Sequence, residues 1–395
     1  MDILFLSVSI GEGHMKAAEA VKEIIDRKFP GSRTLIVDTF KYVNPIVDKL
    51  IIGSYLNAVK NTPRIYGMLY DMAESNGNIS GFSRTVNKLL SFRIKNLINE
   101  FNPSIIVCTH PFPLQMLSDL KRDNRINVPI VSILTDFAAH SFWLHDNVDA
   151  YIVAHESMKR ELVARGIPDE VVYTYGIPVS GSFLAKNDKA TILNDFGLDR
   201  KLTVLIMGGS LGFGEIRDTF LSLANCKKDL QVIVITGKNH ELKKRLEEYS
   251  QHIEKKAKIL SYTNRVADFM DISDFIITKP GGMTVAEALV KRLPIFIISP
   301  IPGHEEKNAH FLINSGAAVR ISCVDEIDSI LFQVLENPLR MGHMKEMAGY
   351  LARPNAGEDV VRLLERLSCE KPSYTSFQTA VLNTKKSSLL PPAFS

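Results

Sequence analysis

Cysteine is scarce in this 395-residue chain, and tryptophan occurs once. The four cysteines (Cys108, Cys226, Cys323, Cys369) lie far apart and form no CxxC pair. That spacing excludes a zinc ribbon or a disulfide framework and reads as reduced, buried thiols in a cytosolic protein. An excess of one charge is also missing: Lys and Arg number 47 against 44 Asp and Glu, a formal net charge of +3. Without basic clustering, no nucleic-acid partner is expected, although a mildly basic surface suits weak contact with anionic lipid. No run approaches the roughly 20 apolar residues of a spanning helix. The opening run Ile3–Ile10 has no basic segment before it and no small-residue cleavage site after it, so it reads as a strand and not a leader. Absent too is Asp-x-Asp, a common device for holding Mg²⁺ on a nucleotide diphosphate; "ADFMDISD" spaces its acids by three.

What is present is a soluble, globular composition, 45% hydrophobic and 23% charged, in a chain long enough for two domains. Short apolar, β-branched runs alternate with helix-period segments, which predicts an α/β protein with parallel sheets covered on both faces. The first half reads as strands "ILFLSV", "TLIVD", "SIIVCT", "PIVSILT", "AYIVA" and "VVYTY", with helices from near His14, Phe82, Pro113 and Glu156. Gly, Pro and Ser residues mark a linker around Gly176–Ala185. The alternation then restarts with "LTVLIMGGS", "QVIVITG", "AKIL", "DFIITKPGG" and "PIFIISP". The expectation is two doubly wound domains facing each other across a cleft. Residues 1–178 form the first and 186–355 the second, joined by 179–185. A helix at 356–368 packs back between the domains, and a tail at 369–395 is mobile.

Glycine-rich loops follow the first strand of each half: "SIGEGHM", with Gly11, Gly13 and His14, and "GGSLGFGEI", with Gly208, Gly209, Ser210 and Gly212. At the carboxyl ends of parallel strands, helix N-termini offer free N–H groups and a positive dipole end, and glycine lets the backbone come close to an anion. Either loop suits a phosphate. Asp38, at the end of the second strand, invites a dinucleotide reading, but Lys16 stands where a third glycine would be, and His14 adds bulk at the diphosphate position. In "TKPGGMTVAEAL", Gly281, Gly282 and Thr284 form a further strand-to-helix turn. Glu287 follows one turn later, either as an acceptor for ribose hydroxyls or as a solvated helix residue. "SPIPGHEEKNAHFL" adds His304, Glu305 and Asn308 at another strand end. In "TDFAAHSFWLH", Asp136, His140 and His145 have a spacing that permits metal, but four ligands with a supporting shell are wanting, and no metal site is expected. Trp143 reads as either core or part of an acceptor groove, and His110 sits at a strand end facing the cleft.

In this order, "GEGH", "TDFAAHSFWLH", "GGSLGFG", "TKPGGMTVAEA" and "PGHEEKNAHFL" resemble the diacylglycerol glycosyltransferases, both the plant-type monogalactosyldiacylglycerol synthases and the bacterial processive glucosyltransferases. More distantly the chain is similar to the GlcNAc transferase of the lipid-linked peptidoglycan precursor. The resemblance spans about residues 1–368. It implies the GT-B arrangement of twin Rossmann-like domains, and inverting transfer of a hexose from UDP-glucose or UDP-galactose to diacylglycerol. No cofactor is implied, since the UDP-sugar is a substrate. By motif position, Ser210 and its glycine neighbours would hold the diphosphate, Glu287 the ribose, and His304 and Glu305 the sugar hydroxyls, with Asn308 on the same donor side. Relatives commonly carry Gln at the position of His304, which leaves the hexose open. The loop with Gly11, Gly13 and His14 would face the acceptor, together with His110, His140 and Trp143.

The catalytic candidates are His14, whose ordinary pKa near 6.5 suits a general base, and Asp136, as rival base or as the group that orients His14. Alternative readings are transfer to another lipid-linked acceptor, a UDP-sugar epimerase, and a non-catalytic UDP-sugar sensor. The segment 40–82, with Tyr42, Tyr55, Tyr66 and Tyr70, is either a helical insertion or a lipid-facing, acceptor-gripping element. Basic and apolar residues around Lys49–Lys60, with Arg64 and Arg84, would dock the protein on the inner face of the cell membrane.

Overall fold

The structure is a computed structural model that describes residues 1–9, 11–43, 84–212 and 214–369. The expectations for Lys49–Lys60, Arg64, Tyr55, Tyr66, Tyr70 and the tail beyond Cys369 lie outside the described residues.

Among the described residues two six-stranded, wholly parallel sheets form. The first contains β1 (Asp2–Ser7), β2 (Arg33–Asp38), β3 (Ile105–Cys108), β4 (Ile130–Ile133), β5 (Ala150–Ile152) and β6 (Val172–Tyr173), in the order β2-β1-β3-β4-β5-β6. The second holds β7 (Thr203–Met207), β8 (Gln231–Ile235), β9 (Ala257–Leu260), β10 (Phe275–Thr278), β11 (Ile295–Ile297) and β12 (Ala318–Arg320), in the order β12-β11-β10-β7-β8-β9. Strands such as "ILFLS" and "FIIT" are apolar throughout because helices cover both faces, and the interior positions of β1, β3, β7 and β10 are fully or almost fully buried. β12 (Ala318–Arg320) went unread in the sequence because it ends in an exposed arginine and has no continuous apolar run.

The order of each sheet reverses once. In the first sheet the reversal lies between β1 and β3, paired with Leu6 opposite Cys108; in the second it lies between β7 and β10, with Met207 opposite Thr278. Loops leaving two neighbouring strands in opposite directions open a crevice at such a switch point. All four loops at the two reversals carry sequence-predicted site residues: Gly11–His14, His110, Gly208–Gly212 and Gly281–Thr284.

After the second sheet the chain returns to the first. The helix Ala356–Cys369 buries Val360, Val361, Leu363 and Leu364 in one cluster with Ile3, Phe5 and Val21. At its Gly357 the helix comes close to the first domain, since a Cβ there would stand 2.4 Å from Ile24 Cδ1 and displace the tip of that side chain. This helix therefore covers the first domain's sheet and the helix Gly13–Lys28. The thiols differ from expectation: Cys108 and Cys226 are buried, but Cys323 and Cys369 are exposed, since each stands at an element end where no neighbour covers it. None of the helices described is long and apolar enough to cross a membrane.

Candidate active site

The first domain contributes a histidine held in one protonation pattern. Gly11 (φ +71°) and Glu12 (φ +57°) are both left-handed, a turn that starts the helix Gly13–Lys28 abruptly and places His14 in its first turn. His14 Nδ1 lies 2.8 Å from the carbonyl oxygen of Thr109 and 2.7 Å from Thr135 Oγ1. A carbonyl only accepts, so Nδ1 carries the proton, and Nε2 is left with its lone pair. Burial lowers the His14 pKa and outweighs the charge of Asp136, which raises it. The imidazole is therefore neutral at physiological pH and able to accept a proton.

His110 stacks edge-on against His14, ring centroids 4.7 Å apart. Its Nδ1 accepts the amide hydrogen of Phe112 (3.1 Å) and caps the helix Pro111–Arg122. Its structural role is thus satisfied while the ring still lines the cleft. Asp136 is buried, which by itself would raise its pKa. The hydrogen bond from His140, the charges of His304 and His140, and the bond from Asn308 together hold it below the usual carboxylate range instead. Permanently ionised, Asp136 is a poor base. Nor does it orient His14, a task taken by Thr109 and Thr135. Its negative charge acts through space to favour the protonated imidazole.

The second domain presents loops with unused donors. Gly209 is left-handed (φ +70°), and the buried Ser210 Oγ has no hydrogen-bond partner among the described residues. The helix Gly282–Val290 starts at Gly281, its first turn lines the cavity with Thr284, and the N–H groups of a first helical turn have no partner inside the helix. Glu287 is buried and not solvated; burial pushes its carboxyl up to about 8, against the pull of Lys16. Glu305 is ion-paired to Lys279 and accepts the amide hydrogen of Ile301 (2.8 Å). Burial lowers the His304 pKa, with Asp136 and Glu305 opposing.

The two domains touch at the crevice. Asn308, expected on the donor side, does not line it. Fully buried, its Oδ1 accepts from Phe137 N (2.8 Å), and its Nδ2 donates to Asp136 Oδ1 (3.0 Å) and to the Pro280 carbonyl (3.1 Å). Two of the three bonds join the domains, and the third holds the amide to its own domain at Pro280. Phe137 stacks on Phe311 across the same boundary (5.5 Å), and Glu12 pairs with Lys238. Gly212 also lies off the cavity wall: a Cβ there would stand 2.1 Å from the Thr236 carbonyl oxygen, so this glycine serves loop packing. Asp38 pairs with Lys41 (3.1 Å) and is not part of the crevice. His145 turns Nε2 to the Phe142 carbonyl (3.0 Å), while His140 Nε2 stands 3.6 Å from Asp136 Oδ2. Among the described residues no three His, Cys, Asp or Glu side chains are grouped as metal ligands would be.

The remaining predicted residues converge on one cavity of about 680 Å³ between the domains. The second domain supplies Gly208, Gly209, Ser210, Gly281, Gly282, Thr284, Glu287, His304 and Glu305; the first supplies the aromatic part, Phe40, Phe112, Phe142 and the fully buried Trp143 beside His140, together with His14 and its polar neighbours. Among the lining residues that escaped the sequence reading are Thr135, which holds His14; Lys16, whose Nζ lies 5.7 Å from the ring centre of Tyr262; Tyr262 itself; and Lys279. Lys279 stood inside the motif "TKPGGMTVAEAL", where a cation beside two glycines was the available signal.

Known proteins share the sequence pattern and the fold. Residues 14–179 match the family model of monogalactosyldiacylglycerol (MGDG) synthase, and residues 203–356 match the glycosyltransferase family 28 C-terminal domain. The chain is 28% identical over 388 residues to a processive diacylglycerol beta-glucosyltransferase of Bacillus mycoides (strain KBAB4), covering 96% of this chain and 97% of that one. In fold it is similar to Acinetobacter baumannii MurG (TM-score 0.62, 16% identity, 92% of this chain and 99% of that chain). It is similar also to a Neisseria meningitidis UDP-GlcNAc 2-epimerase bound to UDP-GlcNAc (TM-score 0.59, 14% identity, 93% and 100%).

Proposed function

The chain belongs to the MGDG synthase and family 28 glycosyltransferases, and from that premise we propose that it transfers glucose or galactose from a UDP-sugar to diacylglycerol. The observation that carries this reading is the asymmetry of the cleft: the second domain lines it with glycine loops and helix N-termini, the first with an aromatic part and His14. The polar wall suits a nucleotide diphosphate, and the aromatic wall suits the glycerol end of a lipid.

In the proposed reaction His14 Nε2 takes the proton of the attacking lipid hydroxyl, and the oxygen bonds to the anomeric carbon from the face opposite the diphosphate. The anomeric C–O bond to the β-phosphate breaks, UDP leaves with the bonding electrons, and a β-glycoside results. Asp136 stabilises the imidazolium that forms. Ser210, the Gly208–Gly209 loop and the first turn after Gly281 receive the diphosphate, Glu287 the ribose, and His304 with Glu305 the hexose. The protein would act at the inner membrane surface without a metal cofactor. An epimerase shares the fold but has no use for an aromatic wall beside the base.

The test is to incubate purified protein with detergent-dispersed diacylglycerol and radiolabelled UDP-glucose or UDP-galactose in EDTA, and to follow the lipid fraction by thin-layer chromatography. Labelled lipid from one donor, lost in His14→Ala, is the expected result, and a ladder of products would show repeated addition. UDP-sugar binding without any labelled lipid would overturn the assignment of the acceptor.

A further inference from the structure

A nucleotide diphosphate brings negative charge into the crevice and gains more as the sugar departs. Backbone dipoles and one hydroxyl are the only partners the sequence reading assigned to it. The structure adds a cation. Lys279 is the first residue past β10, and its side chain is 17% exposed. A Cβ built on Gly209 would stand 3.4 Å from its Cε and 3.9 Å from its Nζ, and one on Gly281 would stand 3.8 Å from the same Nζ. The ammonium therefore sits between the backbones of both glycine loops, at the switch point between β7 and β10. Glu305, 2% exposed and steadied by Ile301 N–H, anchors it from behind. An ammonium has three donors, and a single one is used in the described hydrogen bonds, on Glu305. Ser210 Oγ, next to Gly209, is buried without a partner.

We propose that Lys279 is the cation that receives the donor's diphosphate and stabilises the departing UDP, with Glu305 fixing its position and Ser210 adding a hydroxyl donor. This rests on the UDP-sugar reading above. Both glycine loops then meet the same ammonium, which lies at ordinary contact distance from either, and Gly209 is a glycine for its left-handed backbone (φ +70°). Glu305 likewise acts through Lys279 as well as beside the hexose.

The test is titration of the full chain with UDP by calorimetry and with uridine by ligand-observed NMR. The variants are Lys279→Arg, Lys279→Met and Lys279→Met/Glu305→Gln. The double variant removes the carboxylate that Lys279→Met alone would strand in the interior, so a misfolded single variant does not decide the matter. Charge-assisted hydrogen bonds of this kind predict UDP binding weakened about 10–100-fold in both Met variants. Uridine affinity should stay unchanged and Lys279→Arg should recover much of the loss. Equal weakening of UDP and uridine, or none for UDP, would overturn the role of Lys279 while leaving the UDP-sugar reading intact. A wild-type protein that binds no UDP would overturn both.

Discussion

Gly282 offers a way to separate closure of the domains from the integrity of each. A Cβ at this position would stand 1.8 Å from the Thr135 carbonyl oxygen, 2.8 Å from its carbon and 3.2 Å from Asp136 Cα. All three are backbone atoms of the opposite domain, so no rotamer change relieves the overlap. Within its own domain Gly282 opens a helix with no positive φ, and alanine is favourable there. Gly282→Ala should therefore leave each domain folded and wedge the two apart by about 1 Å or more, the distance that close-packed atoms demand. The neighbouring bonds from Asn308 to Phe137 and Asp136 would stretch with it. Misplacing reacting groups by about 1 Å costs on the order of 10²-fold in rate. The expected outcome is a turnover loss of that size with UDP affinity nearly unchanged and a melting temperature lowered less than in Asn308→Leu. Labelled-lipid formation, calorimetry with UDP and a thermal melt on one preparation would measure all three. Wild-type turnover would refute the claim that this contact sets the working geometry. So would loss of UDP binding in proportion to loss of turnover.

Other outcomes follow from the same geometry. His14→Ala should lower kcat roughly 10²–10⁴-fold while UDP still binds. Because burial lowers the His14 pKa, the acid limb of kcat/KM should fall below the ordinary histidine value of 6.5; Asp136→Asn, which removes a charge that raises it, should move the limb lower still. Glu287 is an acid with a raised pKa in the folded state, so the folded protein holds its proton longer than the unfolded chain does. Stability should fall as pH rises from about 4.5 to about 8, and Glu287→Gln should flatten that part of the melting-temperature profile. Asn308→Leu strands buried groups on both domains at about 1–3 kcal/mol each, so thermal melts should show a clear loss of stability. A Leu variant as stable as wild type would contradict the clasp.

Much of this protein was legible in its order of residues because the informative signals are local. Alternating apolar runs announced parallel strands, since a strand covered on both faces must be apolar throughout. Glycines past the strand ends marked the loops that line the cleft, and a histidine opening a helix marked a ring that faces it. Convergence of distant loops was a different matter. That Thr109 and Thr135 settle the His14 tautomer depends on a backbone carbonyl and a hydroxyl supplied by other strands. Asn308 reads like a ligand contact until its three bonds are seen to close on Asp136, Phe137 and Pro280. Gly212 reads like part of a phosphate loop until the Thr236 carbonyl is found against it. Charge states belong to the same class: Glu287 and Asp136 are both buried carboxylates, yet one is pushed toward its acid form and the other held ionised. Composition and spacing determine which groups are available. Which of them face the cleft, and in what protonation state, follows from the distance and desolvation that packing of both domains imposes.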